Sequence, residues 1–293
     1  MKKTNLFFFL IIFLLIFTHL GFVAEANSFL NGAPALLNEA HTLPAELGKE
    51  RNLIKDVTVK IGGEARYRLE LRNNFNYNDK TYEEDALNLF RLRLSANIKV
   101  GPYAHFFAEG QAAESVADSA IDRTSAFVDK LDLRQLYTDL KSPLKTIPLE
   151  IKAGWQVLSY GDQRFVGGFD WSNVARVFDA VKLVYQPWQK FQLDLFISQP
   201  VRVDKEKADP TVHHDHFYGI YSTLKPFKDH VLDTFLFIRH DTDEGIRGER
   251  TGEFGPLKEY TAGNRFKGKT KNFDYGTEYA LQFGSRAHDD IAA

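Results

Sequence analysis

Five arginines lie at alternating positions in two short stretches of the sequence: Arg66, Arg68, Arg72, Arg91 and Arg93. A guanidinium group is permanently charged and binds carboxylates and phosphates through a planar pair of N–H donors. If two paired strands carry these side chains on one face, they form a basic ladder that binds anions. Nearby carboxylates leave a second interpretation open, in which the arginines only hold the protein wall together through ion pairs with Glu64, Glu70 and Glu109.

Two further groups of polar residues could bind metal ions. Residues 213–216 offer three histidines, and residues 241–245 offer carboxylates at a calcium-like spacing without the later ligands of an EF-hand loop. Neither pattern is complete, so we expect no resident metal ion and no other cofactor. The sequence also has no nucleophile-elbow, phosphate-loop or zinc-protease motif, and Glu83 and Glu84 give little support to glycosidase chemistry. We therefore expect a protein that is not an enzyme.

The composition excludes several classes of protein. The chain has 293 residues, with 37 Lys and Arg against 39 Asp and Glu, so its formal net charge is −2. That balance argues against a nucleic-acid-binding protein that depends on bulk positive charge. Cysteine is absent, which excludes disulfides, thiolate metal sites and a cysteine nucleophile. The moderate mean hydropathy fits a water-soluble protein, but it also fits a transmembrane β-barrel. In a barrel, apolar lipid-facing residues alternate with polar lumen-facing residues, so the mean hydropathy of the chain stays moderate.

The first 26 residues have the pattern of a secretion signal. A basic start is followed by an apolar run from Leu6 to Phe17 and by Ala24-Glu25-Ala26, which predicts cleavage before Asn27. An uncleaved N-terminal anchor is the alternative. Because no later run reaches the roughly 18 apolar residues of a membrane helix, a mature protein in a membrane would cross it with strands.

From Val57 onward, apolar and charged residues alternate with a period of two, as expected for β-strands. The same contrast predicts eleven strands, at 57–72, 90–100, 103–113, 129–140, 149–158, 176–186, 190–199, 214–224, 231–240, 257–267 and 273–283. Residues 27–56 contain Pro34, Pro44 and Gly48 and show no alternation. They are expected to form an irregular or briefly helical periplasmic lead.

The connections between these strands alternate in length. Short turns are predicted near Gly101, Ser142, Pro187, Pro226 and Gly268, and long polar loops at 73–86, 114–128, 159–175, 200–213 and 241–256. Such alternation is typical of an antiparallel up-and-down transmembrane barrel of the outer membrane. A soluble β-sandwich or β-solenoid is the alternative. Strand lengths close to the roughly 9–11 residues that cross a bilayer, and aromatic residues near strand ends, favour the barrel.

The predicted strand number is odd, whereas single-chain bacterial barrels generally have an even number. Residues 284–293 are typical of a loop that leads into another strand, and the sequence lacks a terminal strand that ends in an aromatic residue. We therefore expect the barrel domain, residues 57–293, to be incomplete at its C-terminus. The complete protein should have several more strands.

The middle of the sequence carries its most specific motif. The motif comprises Ala153-Gly154-Trp155-Gln156, Ser159-Tyr160-Gly161-Asp162-Gln163-Arg164-Phe165-Val166-Gly167, Asp170-Trp171-Ser172-Asn173 and Arg176-Val177-Phe178-Asp179. It resembles the alginate export family of outer-membrane porins, and the resemblance extends over residues 57–283. The resemblance implies a monomeric barrel of about eighteen strands, a lumen lined by arginines and carboxylates, and the polyanion alginate as substrate. The family often has arginine where this sequence has Trp155, whose parity predicts that it faces lipid or an interface.

By the same resemblance, the loop from Ser159 to Asn173 could fold into the lumen. A constriction there would include four charged residues of the motif: Asp162, Arg164, Arg176 and Asp179. The alternative is a surface loop shaped by its glycines.

These patterns predict a passive outer-membrane channel for an anionic polysaccharide such as alginate. The conduit would combine the five arginines with the four charged residues of the motif. The expected partners are the polysaccharide, outer-membrane lipid and export or synthesis proteins of the periplasm, but not nucleic acid. Two alternatives stay open: a general anion or small-solute porin, and a secreted β-rich protein that binds or cleaves carbohydrate.

Overall fold

The computed structural model describes residues 41–45, 51–54, 56–74, 77, 84–116, 126–144 and 146–293. The chain separates into two units, Met1–Asn38 and Glu39–Ala293, and the first unit lies outside the described residues. The signal peptide at residues 1–26 therefore stays a prediction. In the part of the chain that is described, no helix is long and apolar enough to cross a membrane.

The described part of the second unit is one antiparallel sheet. Its strands are β1 His41–Ala45, β2 Arg51–Ile54, β3 Val57–Asn73, β4 Glu84–Val100, β5 Ala104–Val116, β6 Asp129–Lys141, β7 Leu149–Gln156, β8 Phe178–Trp188, β9 Phe191–Pro200, β10 Asp215–Leu224, β11 His230–Arg247, β12 Phe254–Thr270, β13 Phe273–Arg286 and β14 Asp289–Ala292. Strands β3 to β14 pair in chain order, and β1 and β2 both pair with β3. The all-β, up-and-down architecture is thus confirmed, with the eleven predicted strands at β3–β13. Among the described strands, no pairing closes the sheet into a cylinder.

Two regions differ from the sequence prediction. Within residues 27–56, where we expect an irregular lead, β1 and β2 are strands, because the edge of β3 offers backbone groups that need partners. The loop expected at 241–256 is shorter, since β11 continues to Arg247 and β12 begins at Phe254. A register shift between Asp241 and Ile246 interrupts the alternation of apolar and polar residues there, so the alternation does not predict that β11 continues to Arg247.

The two faces of the sheet have opposite character. The apolar face exposes Leu136, Ile151, Val181, Ile197 and Leu281, whose exposed fractions lie between 40% and 63%. Trp155 pairs with Leu136 and lies on this face, and its contact with lipid or an interface stays a prediction. The other face, which we call the arginine face, carries buried guanidinium groups from Arg66, Arg68, Arg91 and Arg93. Exposed apolar and buried charged side chains reverse the pattern of a water-soluble protein and suit a wall that contacts lipid.

Candidate functional site

Residues 157–177 connect β7 to β8 and lie against the arginine face, and we call them the crossing loop. Backbone hydrogen bonds fold this loop on itself, from Tyr160 N to Val166 O at 3.1 Å and from Arg176 N to Gly168 O at 2.7 Å. Gly161 has a φ of +57°, a conformation that favours glycine. The turns direct the first half of the loop toward β9–β13 and the second half toward β3 and β4.

Two arginines on adjacent strands bind the same stretch of crossing-loop backbone. Arg66 on β3 donates to the carbonyl of Asp170 at 2.9 Å and to the carbonyl of Ser172 at 2.8 Å. Arg91 on β4, the cross-strand partner of Arg66, donates to the same two carbonyls at 3.1 Å each. Because carbonyl oxygens are neutral acceptors, these contacts satisfy guanidinium donors without cancelling the positive charge.

Asp170 brings a carboxylate of the crossing loop to the same cluster. Arg93 Nη1 donates to Asp170 Oδ1 at 2.8 Å, and Arg91 Nη2 lies 3.3 Å from Asp170 Oδ2. Burial alone would raise the pKa of Asp170, but the charges of Arg93 and Arg91 outweigh it and hold that pKa below its ordinary value. The side chain of Asp170 is 58% exposed, so solvent reaches this contact.

Trp171 and Asn173 complete the attachment of the second half. The Arg68 guanidinium lies 4.3 Å from the Trp171 ring centroid and also donates to the Trp171 carbonyl. Asn173 is fully buried, and its amide donates to the carbonyls of Phe127 at 2.8 Å and Phe90 at 3.0 Å. Ser172 and Asn173 are therefore buried with hydrogen-bond partners, as burial of polar groups requires, while Asp170 and Trp171 stay exposed.

Three carboxylates that the sequence suggested as counter-charges all form ion pairs with arginine. Glu64 lies 2.6 Å from Arg91, Glu70 lies 2.6 Å from Arg68, and Glu109 pairs with Arg134. The ion-pair interpretation thus describes part of the ladder. It leaves out the crossing loop, to which Arg66, Arg68, Arg91 and Arg93 all bind.

The first half of the crossing loop packs on aromatic rings of the arginine face. This aromatic patch consists of Phe196, Phe217, Tyr221, Phe235 and Phe237 on β9–β11. Tyr160 lies with its ring centroid 4.6 Å from that of Tyr221 and 5.6 Å from that of Phe196. Leu158 and Val166 are buried against the same patch, which holds this half of the loop mainly by apolar burial.

A charged contact anchors the first half to β12 and β13. Asp162 Oδ1 accepts hydrogen bonds from Arg265 Nη2 at 3.0 Å and from Lys267 Nζ at 3.1 Å. The hydrogen bond from Arg265, with that from Lys267, lowers the pKa of Asp162 to about 2. Arg164 adds an ion pair with Glu278 at 3.4 Å.

A family model described as alginate export matches residues 57–293, from β3 to β14. The chain belongs to the alginate export family. This membership confirms the resemblance of the central motif, and the alginate export family is one of non-enzymatic outer-membrane porins. A search of the curated proteins gives no match.

The charged residues predicted for the conduit are distributed unequally. Arg66, Arg68, Arg91 and Arg93 meet at the second half of the crossing loop, while Arg72 pairs with Glu70 at 2.9 Å. Asp162 and Arg164 lie at the first half, and Arg176 is exposed with its guanidinium 5.4 Å from the Phe169 ring centroid.

Asp179 does not join this group. It is the cross-strand partner of Trp155 on the apolar face, where Thr211 donates a hydrogen bond to it at 3.3 Å. Asp179 shares parity with Val181 and Leu183, so the alternation of the sequence already indicates that its side chain lies on the apolar face.

The sequence predictions do not include the aromatic patch. Its signal is the run Phe235-Leu236-Phe237-Ile238, which is apolar at both parities and indicates a strand covered on both faces.

Among the described residues, the side chains of 213–216 and 241–245 do not form a group of three or more metal ligands. His214 Nδ1 lies 2.7 Å from Asp241 Oδ1, whereas His213 Nδ1 lies 3.2 Å from Gln199 Oε1. Asp243 accepts the backbone N–H of Gly245 at 3.0 Å. One hydrogen bond thus joins the two stretches, and Gln199 is the shared partner of His213 and His216.

Proposed function

We propose that this protein is a passive outer-membrane channel for an anionic polysaccharide, with the crossing loop as its constriction. The observation that carries the proposal is the convergence of Arg66, Arg68, Arg91 and Arg93 on one loop segment. Membership of the alginate export family supports polysaccharide export through a porin. The charge of the substrate and the role of the arginines are inferred from the site.

A polyuronate carries a carboxylate on every sugar and must lose hydration to pass a narrow site. Fixed guanidinium groups offset this loss, and several adjacent groups let the chain step from one to the next. The carboxylate of Asp170 occupies the position that we propose for a substrate carboxylate, because it contacts both Arg91 and Arg93. A substrate carboxylate that replaced Asp170 would keep both arginines paired throughout the exchange.

Acidic side chains near the same path limit the binding strength. Glu64 and Glu70 remain paired with Arg91 and Arg68, so a polyanion meets a wall whose positive charge is partly compensated. Binding at each position is then weak enough for release, which conduction requires. Arg72, Asp162, Arg164 and Arg176 extend the proposed conduit on either side of the cluster.

The test is a bilayer recording of the protein purified in detergent. We expect reversal potentials that show anion preference, and block by a polyuronate but not by a neutral glucan of equal length. Arg93→Gln should weaken the block, whereas Arg286→Gln, which removes an exposed ion pair with Glu249, should leave it unchanged.

Two results would overturn the proposal. A channel that is indifferent to polyuronate would be a general anion or small-solute porin. A protein released into buffer without detergent would be a secreted β-rich protein and not a channel.

A further inference from the structure

Three carboxylates outside the arginine cluster meet where the loop 201–214 contacts β6. Asp129, Asp132 and Asp209 each place one oxygen within 4.8 Å of the oxygens of the other two. Asp129 and Asp132 belong to β6, and Asp209 belongs to the loop between β9 and β10. Because β7 and β8 separate β6 from β9 in the sheet, the loop reaches across two strands to complete this group.

Neutral donors bind these carboxylates. Gln111 Nε2 donates to Asp129 Oδ2 at 3.2 Å, Asp209 N donates to Asp132 Oδ2 at 2.6 Å, and Asp204 N donates to Asp209 Oδ1 at 2.7 Å. Such hydrogen bonds orient the oxygens but do not cancel the repulsion between carboxylates at this separation. A bound cation would cancel it.

Asp129 supplies an independent sign of a ligand. Its residue is only 3% exposed, and its Oδ1 atom has no hydrogen-bond partner among the described residues. An unpaired buried carboxylate oxygen is costly, and buried charges are normally paired or bound to a metal ion. An oxygen of the same carboxylate lies within 4.8 Å of oxygens of Asp132 and Asp209.

We propose that Asp129, Asp132 and Asp209 form a binding site for Ca²⁺. Calcium takes oxygen ligands at about 2.3–2.6 Å, so two ligands of one ion lie up to about 5 Å apart. The three oxygens lie within 4.8 Å of one another, inside this span. Magnesium demands shorter distances in a near-ideal octahedron, which a strand and a loop from distant parts of the chain are less suited to provide.

The ion would fix the loop 201–214 to β6 beside the crossing loop. Val201 N already donates to Val177 O at 3.0 Å, and Lys130 pairs with Glu206. Calcium would thus add a further connection at this end of the sheet. The inference rests on the carboxylate geometry and on the buried, unpaired oxygen of Asp129, and it does not depend on the proposed channel function.

Calorimetric titration of the chelator-treated protein in detergent tests the site. We expect one Ca²⁺ bound per chain, weaker binding of Mg²⁺, and a higher melting temperature with Ca²⁺. Asp209→Asn and Asp129→Asn should each weaken Ca²⁺ binding by about tenfold or more. Asp243→Asn, in the calcium-like stretch 241–245, is the matched control and should bind like the wild type.

Several results would overturn the site. These are no Ca²⁺ binding to the wild type, equal affinity in all variants, or an equal loss in Asp243→Asn. Heat-modifiable migration on gels checks that each variant folds. If Asp129→Asn fails this check because its side chain is buried, the loop variant Asp209→Asn and the Ca²⁺-dependent melting temperature of the wild type decide the question.

Discussion

At the scale of single residues, the arginines of β3 and β4 bind backbone as well as carboxylate. Arg66 and Arg91 share the carbonyls of Asp170 and Ser172, and Arg93 binds the Asp170 carboxylate. The crossing loop therefore acts as an internal ligand of the arginine face. An external anion would compete with the carboxylate of Asp170, which is the most exchangeable of these acceptors because it is exposed.

Replacement of Asp170 by asparagine tests this competition. The variant loses the charge that pairs with Arg93 while it keeps the loop backbone that binds Arg66. A partly exposed ion pair contributes about 0.2–1 kcal/mol, so we expect polyuronate to bind about 1.5- to 5-fold more tightly. Block titrations in bilayers measure this change. Asp274→Asn, an exposed aspartate paired with Lys269, should bind polyuronate like the wild type, and tighter binding in both variants would contradict the competition.

The pH dependence of the crossing loop follows from Asp162. The pKa of Asp162 falls from 3.8 to about 2 in the folded protein, so its contact with Arg265 is at full strength above pH 3.8 and weakens as the pH falls toward 2. We expect the cleavage of the loop by an acid-tolerant protease to stay constant from about pH 7 to 4.5 and to increase only below about pH 4.

Asp162→Asn is the control for this profile. It should be cleaved faster than the wild type at every pH above 4 and should show little further increase below it. A wild-type increase that begins near pH 6 would show that another group controls the contact.

At the scale of elements, the period of two predicts β3–β13, because most of these strands have an apolar side and a polar side. It could not predict β1 and β2, which are strands through the edge of β3 and not through their own pattern. The sequence predicts only part of the contact between the arginines and the crossing loop. Alternation places Arg66 and Arg91 on one face of the sheet. Their hydrogen bonds to carbonyl groups depend on the path of the crossing loop, which is irregular and therefore has no periodic pattern from which that path could be predicted.

The aromatic patch gives the crossing loop its packing energy. Leu158 is almost fully buried against that patch, and removing a buried leucine side chain costs about 2–5 kcal/mol. We expect Leu158→Ala to detach the first half of the loop, with faster proteolysis within 157–177 and a larger conductance. Leu144→Ala, at an exposed turn position, should change neither quantity. Unchanged proteolysis in Leu158→Ala would show that the charged contacts alone hold the loop.

At the scale of the whole molecule, the side chains on the apolar face decide which solvent the sheet contacts. Leu281 and Gln282 are adjacent on β13, so they lie at nearly the same position along the strand but on opposite faces of the sheet. Leu281 pairs with Ala262 on the apolar face, and Gln282 pairs with Thr261 on the arginine face. If the apolar face contacts lipid, a lysine at Leu281 must enter hydrocarbon, at a cost of about 2–4 kcal/mol near the bilayer midplane. A lysine at Gln282 keeps a polar environment.

We therefore expect Leu281→Lys to reduce the heat-modifiable folded fraction in lipid vesicles, and Gln282→Lys to leave it close to that of the wild type. Equal folding of the two variants in lipid would mean that the exposed apolar side chains cover another protein surface. A greater loss in Gln282→Lys would place lipid on the arginine face. Because the pair differs only in the side of one strand, the comparison separates the orientation of the sheet from the general effect of an added charge.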